Sequence, residues 1–481
     1  MNYAVVVYIL GWIMNIEAAF MTMPCLLAIK YKETQGLAYL CVMIISALAG
    51  TLIVLHKPKN MNFYLKEGFV TVALSWIVLS VIGCLPFYIS GEIPAFVDAL
   101  FETISGFTTT GATILTDIES LARCNLFWRS FTHWIGGMGV LVFLLAILPL
   151  AGGTNMNLMK AESPGPSVGK LVPKVRQTAK ILYIIYIVLT VLEVVFLLFG
   201  GMPVFESVTT AMGTAGTGGF AVTNDSMVRF GAYNQWVITV FMIIFGVNFN
   251  VYFLLIMGKF KQAFSHEEAR VYLCIIVTAG IIITANIRNQ MASFSDAVRH
   301  AFFQVASIIS STGFASTDFN LWPETSRTIL VILMFVGACA GSTGGGIKVS
   351  RFIILVKTFF KEITSYLHPR SVKKIKIEGK VLEHEILRST NVYFITVFLI
   401  FSTSVLLVSL ENKDLITNFT AVATTLNNIG PGLNLIGPMN NFTCFNSFTK
   451  IVLMFDMLAG RLEMFPMLLL FCPQIWSRKK G

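Results

Sequence analysis

The sequence predicts an all-α integral membrane protein, built as two leading helices plus four pseudo-symmetric membrane–pore-loop–membrane repeats around a central pore. Three observations carry this. The 481 residues are 55% hydrophobic and only 12% charged, with a mean hydropathy of +0.75, whereas soluble domains carry about 25% charge. Ten stretches approach the roughly 20 apolar residues that cross a bilayer: 3–29, 37–56, 67–90, 127–150, 180–201, 233–258, 270–287, 326–347, 391–410 and 450–472. Four shorter segments, 95–109, 203–216, 297–311 and 416–428, cannot cross, and each runs into a polar turn containing glycine.

Taken in order, residues 1–56 hold the two leading helices. The first has no basic flank and no small-residue cleavage site, so it reads as a retained helix rather than a signal peptide. Repeat one occupies 67–152, with the turn Thr108-Thr109-Thr110-Gly111-Ala112-Thr113 between its short helix and its second span. Repeat two occupies 178–259, with the turn Thr217-Gly218-Gly219-Phe220-Ala221. Repeat three occupies 268–357; its turn is Ser311-Thr312-Gly313-Phe314-Ala315, and its second span contains the glycine-rich run 337–346. A basic loop fills 358–387, and repeat four occupies 388–473 with Asn428-Ile429-Gly430-Pro431-Gly432. The repeats echo in layout more than in letters: Phe101-Glu102 precedes Gly111 at the spacing by which Phe303-Gln304 precedes Gly313. Irregular backbone at membrane depth is tolerated only where protein or a water-filled path surrounds it, so the four turns are expected to meet on one axis.

The formal charge of +10 does not indicate nucleic acid, because the basic residues alternate with apolar spans. Placing both termini and the loops near 57–66, 160–180, 259–270 and 348–388 on the cytoplasmic side puts 24 of the 35 Lys and Arg there, as the positive-inside rule requires. The basic loop is suited to lipid headgroups or to a soluble partner. The outer side collects acids, among them Glu92, Asp98, Glu102, Asp117, Glu119 and Asp318, which would either concentrate cations or serve as ordinary loop residues. The eight cysteines form no CxxC or Cys/His cluster, which argues against zinc. Cys124 and Cys444 fall on the same outer side, leaving a disulfide between them open. The histidines are dispersed and no catalytic set stands out, so an enzyme is not expected.

The turns have the chemistry of a site for a dehydrated monovalent cation. Backbone carbonyls pointing inward supply oxygens, glycine permits the dihedrals, and the C-terminal ends of the short helices add partial negative charge. No Asp or Glu occupies any of the four turns, and a divalent-selective site would call for a ring of carboxylates. The run Gly337-Ala338-Cys339-Ala340-Gly341-Ser342-Thr343-Gly344-Gly345-Gly346-Ile347-Lys348 superficially resembles a phosphate loop, but Ile347 interrupts the Gly-Lys pair that motif needs. It reads instead as a flexible insert below the turns that obstructs the path, or as a small-residue packing face. Asp456, Arg461 and Glu463 lie in the last span, where charges face a partner or a pore; Arg461 would act as a barrier, hold the glycine-rich insert, or pair with one of the acids. Glu17 and Glu193 are isolated intramembrane acids, expected to form interhelical hydrogen bonds.

TTTGAT at 108–113, HWIGGMGVLVF at 133–143, STGFASTDF at 311–319, GACAGSTGGGIK at 337–348, NNIGPGL at 427–433 and AGRLEMFP at 459–466 together resemble the TrkH family, the membrane subunits of bacterial Trk potassium uptake systems in the Trk/Ktr/HKT superfamily. The two leading helices favour that branch over the similar Ktr type. The resemblance implies a homodimer with one pore per subunit and a filter glycine per repeat: Gly111, Gly219, Gly313 and Gly430. Potassium would bind at Thr109, Thr110, Gly111, Gly218, Gly219, Phe220, Ser311, Thr312, Gly313, Asn428, Ile429 and Gly430, with no organic cofactor. Gly111, rather than serine, implies potassium over sodium. Repeat two departs with its glycine pair, and repeat four with Pro431. Residues 337–346 are implied to be an intramembrane gating loop, with Gly337, Gly341, Gly344, Gly345, Gly346 and Arg461 at the constriction. A cytosolic TrkA-like nucleotide-binding ring is the implied regulator, in a bacterial or archaeal inner membrane with both termini cytoplasmic. A proton- or sodium-coupled potassium symporter of the same fold is the alternative.

Overall fold

The computed structural model describes residues 1–60, 64–151, 175–368 and 374–476. Most of the loop expected at 160–180, and Arg370, Lys373 and the terminal Arg478, Lys479 and Lys480, lie outside the described residues. The described chain is almost wholly helical. Its only strands, β1 (Lys376–Ile377) and β2 (Lys380–Val381), form a small antiparallel hairpin. Glu378 and Gly379 turn it with φ of 52° and 76°, as a two-residue hairpin turn requires.

The leading pair is α1 (Tyr3–Phe20), continued after a break at Met21 by α2 (Thr22–Tyr31), and α3 (Gly36–Leu55). Pro24 sits in the first turn of α2, where its missing N–H costs least. Repeat one then supplies α4 (Leu65–Ile89), the short α5 (Phe96–Phe107) and α6 (Arg123–Ala151). Repeat two supplies α7 (Val175–Phe199), the short α8 (Val204–Gly216), α9 (Ala232–Gly246), α10 (Phe249–Ile256) and, at its exit, α11 (Phe260–Phe264). Repeat three has α12 (Glu267–Ile287), the short α13 (Phe294–Ile309), α14 (Glu324–Val336) and α15 (Val349–Leu367). Repeat four has α16 (His384–Ser409), the short α17 (Leu415–Leu426), α18 (Ser447–Arg461), α19 (Phe465–Leu470) and a last turn α20 (Pro473–Trp476).

Six helical stretches among the described residues are long and apolar enough to cross a membrane, and the bent pair α9–α10 would make a seventh. At 1.5 Å per residue, the 12 residues of α5 and of α17 reach only about 18 Å, short of the roughly 30 Å hydrocarbon core. The windows of α3, α7 and α16 are only 28%, 28% and 22% buried, against 61% for α4. Those three present most of their surface outward, while α4 packs inside.

The repeats close into a ring. The closing helix of each repeat packs against the short helix of the next: α6 on α8, α9 on α13, α14 on α17, and α18 back on α5.

Three closing spans are broken: those at 233–258 and 450–472 differ from the continuous helices expected there, and the one at 326–347 breaks at the glycine-rich insert the sequence marks. The first bends by 91° between α9 and α10. There Val247 is extended, the Asn248 side chain caps Asn250 N, and Phe249 N donates to Gly341 O at 3.0 Å. The second stops at Val336; Gly337, Gly341, Gly346 and Lys348 all have positive φ before α15 begins. The third breaks at Glu463 and Met464, with φ of 56° and 68°. The first two breaks open backbone donors and acceptors that bond to one another across repeats two and three, and at the third the Glu463 side chain reaches Arg351 of repeat three, tertiary gains that a hydropathy window does not register.

Candidate functional site

Each short helix ends in the same way. Its final amides fold back in a Schellman pattern: Thr109 N to Gly106 O and Thr110 N to Ser105 O, at 3.1 and 2.9 Å; Thr217 N to Thr214 O and Gly218 N to Gly213 O, at 3.0 and 2.8 Å. Ser311 N to Ile308 O and Thr312 N to Ser307 O follow at 3.1 and 2.8 Å, and Asn428 N to Thr425 O and Ile429 N to Thr424 O at 3.3 and 2.8 Å. Thr109, Thr217, Ser311 and Asn428 are left-handed, with φ between 54° and 59°. Two residues on, Gly111, Gly219, Gly313 and Gly430 have φ of 78°, 74°, 87° and 97°. The register of repeat two follows: Gly219 aligns with Gly111, and Gly218 with Thr110.

The four turns meet head to tail. A methyl group on Gly111 would lie 2.0 Å from Gly218 O, one on Gly219 2.1 Å from Thr312 O, one on Gly313 2.0 Å from Ile429 O, and one on Gly430 2.7 Å from Thr110 O. The contacts run through the repeats in order and return to the start. They place the carbonyls of Thr110, Gly218, Thr312 and Ile429 within reach of one closed ring, with no room for a side chain at any of the four glycines. Pro431 does not break it; its Cδ packs where a Gly313 side chain would begin. Phe220 stands apart, its carbonyl lying beside Gly213 of its own short helix.

Behind the ring, His133 Nδ1 bonds to Gly106 O at 2.7 Å and His133 Nε2 to Phe220 N at 3.1 Å. Because a carbonyl only accepts and an amide only donates, these partners require a neutral ring protonated on Nδ1. Arg129 pairs with Glu102 at 2.8 Å, both fully buried, donates to Ala221 O at 3.1 Å, and lies over the Phe220 ring. Glu102 also accepts from Thr113 Oγ1 at 2.9 Å and Ile114 N at 3.0 Å. The ion pair lies within repeat one, and Arg129 joins that repeat to repeat two through Ala221 O and the Phe220 ring. Asn428 Nδ2 joins repeats four and one through Thr110 Oγ1, at 3.0 Å.

The other outer acids are also engaged. Asp98 pairs with Lys450 at 2.6 Å and Glu119 pairs with Arg229. Glu92 accepts from Ala122 N, Asp117 from Asn224 Nδ2 and Asp318 from Asn320 N. They staple loops rather than forming bare anionic walls. Cys124 and Cys444 are both free thiols.

The glycine-rich loop sits directly against the ring. Gly345 N donates to Ser311 Oγ at 2.6 Å. Side chains at Gly344 and Gly345 would strike Ser310 O and the Asn428 side chain at 2.8 Å each, so close approach demands glycine there, while positive φ demands it at Gly337, Gly341 and Gly346. Lys348, buried, turns its Nζ back onto Gly344 O. Arg461 donates to Thr343 O at 3.1 Å and to Gly136 O and Gly137 O of α6. Of the two acids considered for it, Glu463 pairs with Arg351 at 2.6 Å, and Asp456 accepts from Ser404 Oγ at 2.7 Å. Both carboxylate oxygens of Glu17 are buried without a hydrogen bond, unlike the interhelical bond expected.

Composition and spacing missed His133, Arg129 and Lys348 as parts of this site, and placed Glu102 in the mouth. The available signal was a histidine and an arginine inside an apolar span of repeat one, the residue class that membranes tolerate only with a partner.

The family model for TrkH, described as a cation transport protein, matches residues 38–479. The Trk system potassium uptake protein TrkH of Salmonella typhimurium is 35% identical over 99% of this chain and 100% of its own length, and that of Escherichia coli strain K12 has the same values. The Trk system potassium uptake protein TrkG of Escherichia coli strain K12 is 32% identical over 98% of each chain. The crystal structure of the potassium transporter TrkH from Vibrio parahaemolyticus superposes with a TM-score of 0.87 at 32% identity, covering 99% of this chain and 100% of that one. With the helical ring and its four matched turns, these likenesses run the length of the molecule, and the chain belongs to the TrkH family of cation transport proteins.

Proposed function

We propose that the chain mediates potassium uptake across a prokaryotic inner membrane through a channel-like pore. The closed ring of glycine turns carries this reading. Its four carbonyls, backed by the C-terminal ends of α5, α8, α13 and α17, offer a dehydrated monovalent cation oxygen ligands without a carboxylate. Thr109, Thr110, Gly111, Gly218, Gly219, Ser311, Thr312, Gly313, Asn428, Ile429 and Gly430 form the filter wall; Phe220 supports it. Residues 337–346 act as the gate, held shut by Arg461, which ties Thr343 to α6. The same reading places both termini and the basic loop in the cytoplasm, where a TrkA-like ring regulates a homodimer.

Coupled symport is favoured by one observation, the unpartnered Glu17 carboxyl in α1. Reversal potentials of the purified protein in liposomes separate the two. Potentials that follow the potassium gradient alone support the channel; a shift with an imposed proton or sodium gradient overturns it in favour of coupling, and no cation flux overturns both.

A further inference from the structure

The glycine-rich loop is held from two sides. On the ring side are Ser311 and Arg461. On the far side a single oxygen, Glu268 Oε1, accepts from Ala340 N at 2.7 Å and from Ser350 N at 3.0 Å. These amides stand at opposite ends of the loop. Ala340 is irregular backbone, and Ser350 is in the first turn of α15, where amides lack partners within the helix. Lys348, the residue preceding α15, provides no side-chain cap, because an ammonium has no acceptor; its Nζ donates to Gly344 O instead. Glu268 therefore caps α15 from another helix, placing an acceptor where the helix end is positive, and pins the start of the loop with the same atom. It is 5% exposed.

Glu268 also belongs to a junction. It lies in the first turn of α12, preceded by His266 and Glu267. His266 Nε2 meets Glu378 Oε1 at 2.8 Å, and Glu378 N donates to Glu267 Oε2 at 3.3 Å. Glu267 pairs with Lys357 of α15, whose Nζ also donates to Lys376 O at 2.7 Å. Three consecutive residues thus hold the β1–β2 hairpin on one side and both ends of the loop on the other.

We propose that Glu268 is a positioning residue: it holds the glycine-rich loop in its obstructing form and makes that form depend on where the hairpin sits. This rests on the gate reading above. Displacing the hairpin moves the first turn of α12, and the loop loses two charge-assisted bonds together.

The test uses the full chain in phosphatidylethanolamine–phosphatidylglycerol vesicles, with rubidium uptake and hydrogen exchange at Ala340 and Ser350 as separate readouts. Glu268→Ala should speed exchange at both amides and raise uptake about tenfold. Glu268→Gln, which keeps an accepting oxygen, should restore most of the protection. Glu378→Ala should speed exchange at the same amides, but add nothing in the Glu268→Ala background. A variant shortened within 340–346 separates the failures. If it conducts while folded Glu268→Ala neither conducts more nor exchanges faster, the Glu268 assignment is wrong and the gate stands. If neither variant conducts more, the gate reading has failed. Should Glu268→Ala not fold, unchanged exchange in Glu378→Ala is enough to overturn the coupling.

Discussion

At the scale of single residues, the ring constrains its glycines twice, by sign of φ and by space. Gly313 has φ of 87° and faces Ile429 O, so Gly313→Ser both strains the backbone and pushes a carbonyl off the ring. The potassium-to-sodium permeability ratio should fall by about tenfold, equivalent to ~1.4 kcal/mol; an unchanged ratio in bi-ionic potentials would refute the filter assignment. Arg129 and Glu102 allow a second prediction. Arg129→Met strands a buried carboxylate and should destabilise the protein by about 3–5 kcal/mol, read as a lowered thermal midpoint in detergent. Adding Glu102→Gln should recover most of that loss. Repeat three already carries Gln304, buried, at the matching position, so an uncharged side chain is compatible with this place in the fold. A double variant no more stable than the single one would show that Arg129 acts through Ala221 and Phe220 instead.

At the scale of elements, the short helices and the broken closing spans divide the work. The short helices aim their C-termini and end in one motif; the break in repeat three supplies irregular backbone that packs on the turns. In repeat three that backbone touches the ring through Ser311 and reaches α6 through Arg461. Removing part of 340–346 should therefore raise basal rubidium uptake in vesicles without lowering the thermal midpoint to the extent that Arg129→Met does. Unchanged or reduced uptake by the folded variant would count against a gate. The existence of the loop was legible in the sequence, because five glycines between 337 and 346 are poor for a helix. The breaks in repeats two and four were not. Val247-Asn248 and Glu463-Met464 are unremarkable in composition, and their conformations come from contacts with residues far along the chain.

For the whole molecule, closure of the ring is decided by the packing of α18 on α5, which joins the last repeat to the first. This makes the closed ring of turns a property of all four repeats together. The loops that carry Glu92, Asp98, Asp117, Glu119 and Asp318 are stapled by ion pairs and capping acids rather than by a disulfide, and non-reducing mass spectrometry should find Cys124 and Cys444 both as free thiols. A linked peptide pair would show that these loops are closed covalently instead.

The all-helical membrane class, the number of repeats and the four polar turns can be read from the amino-acid sequence. These are written in local composition: apolar length decides what can cross a bilayer, and glycine marks where the backbone must depart from a helix. Tertiary structure alone decided which carbonyls face one another, that Gly219 rather than Gly218 matches Gly111, that Glu102 is buried against Arg129, and that Glu268 reaches both ends of the loop. Those facts depend on residues brought together from distant parts of the chain. Charge in an apolar span announces that a partner exists, but only the folded arrangement of helices determines which one lies within hydrogen-bonding distance.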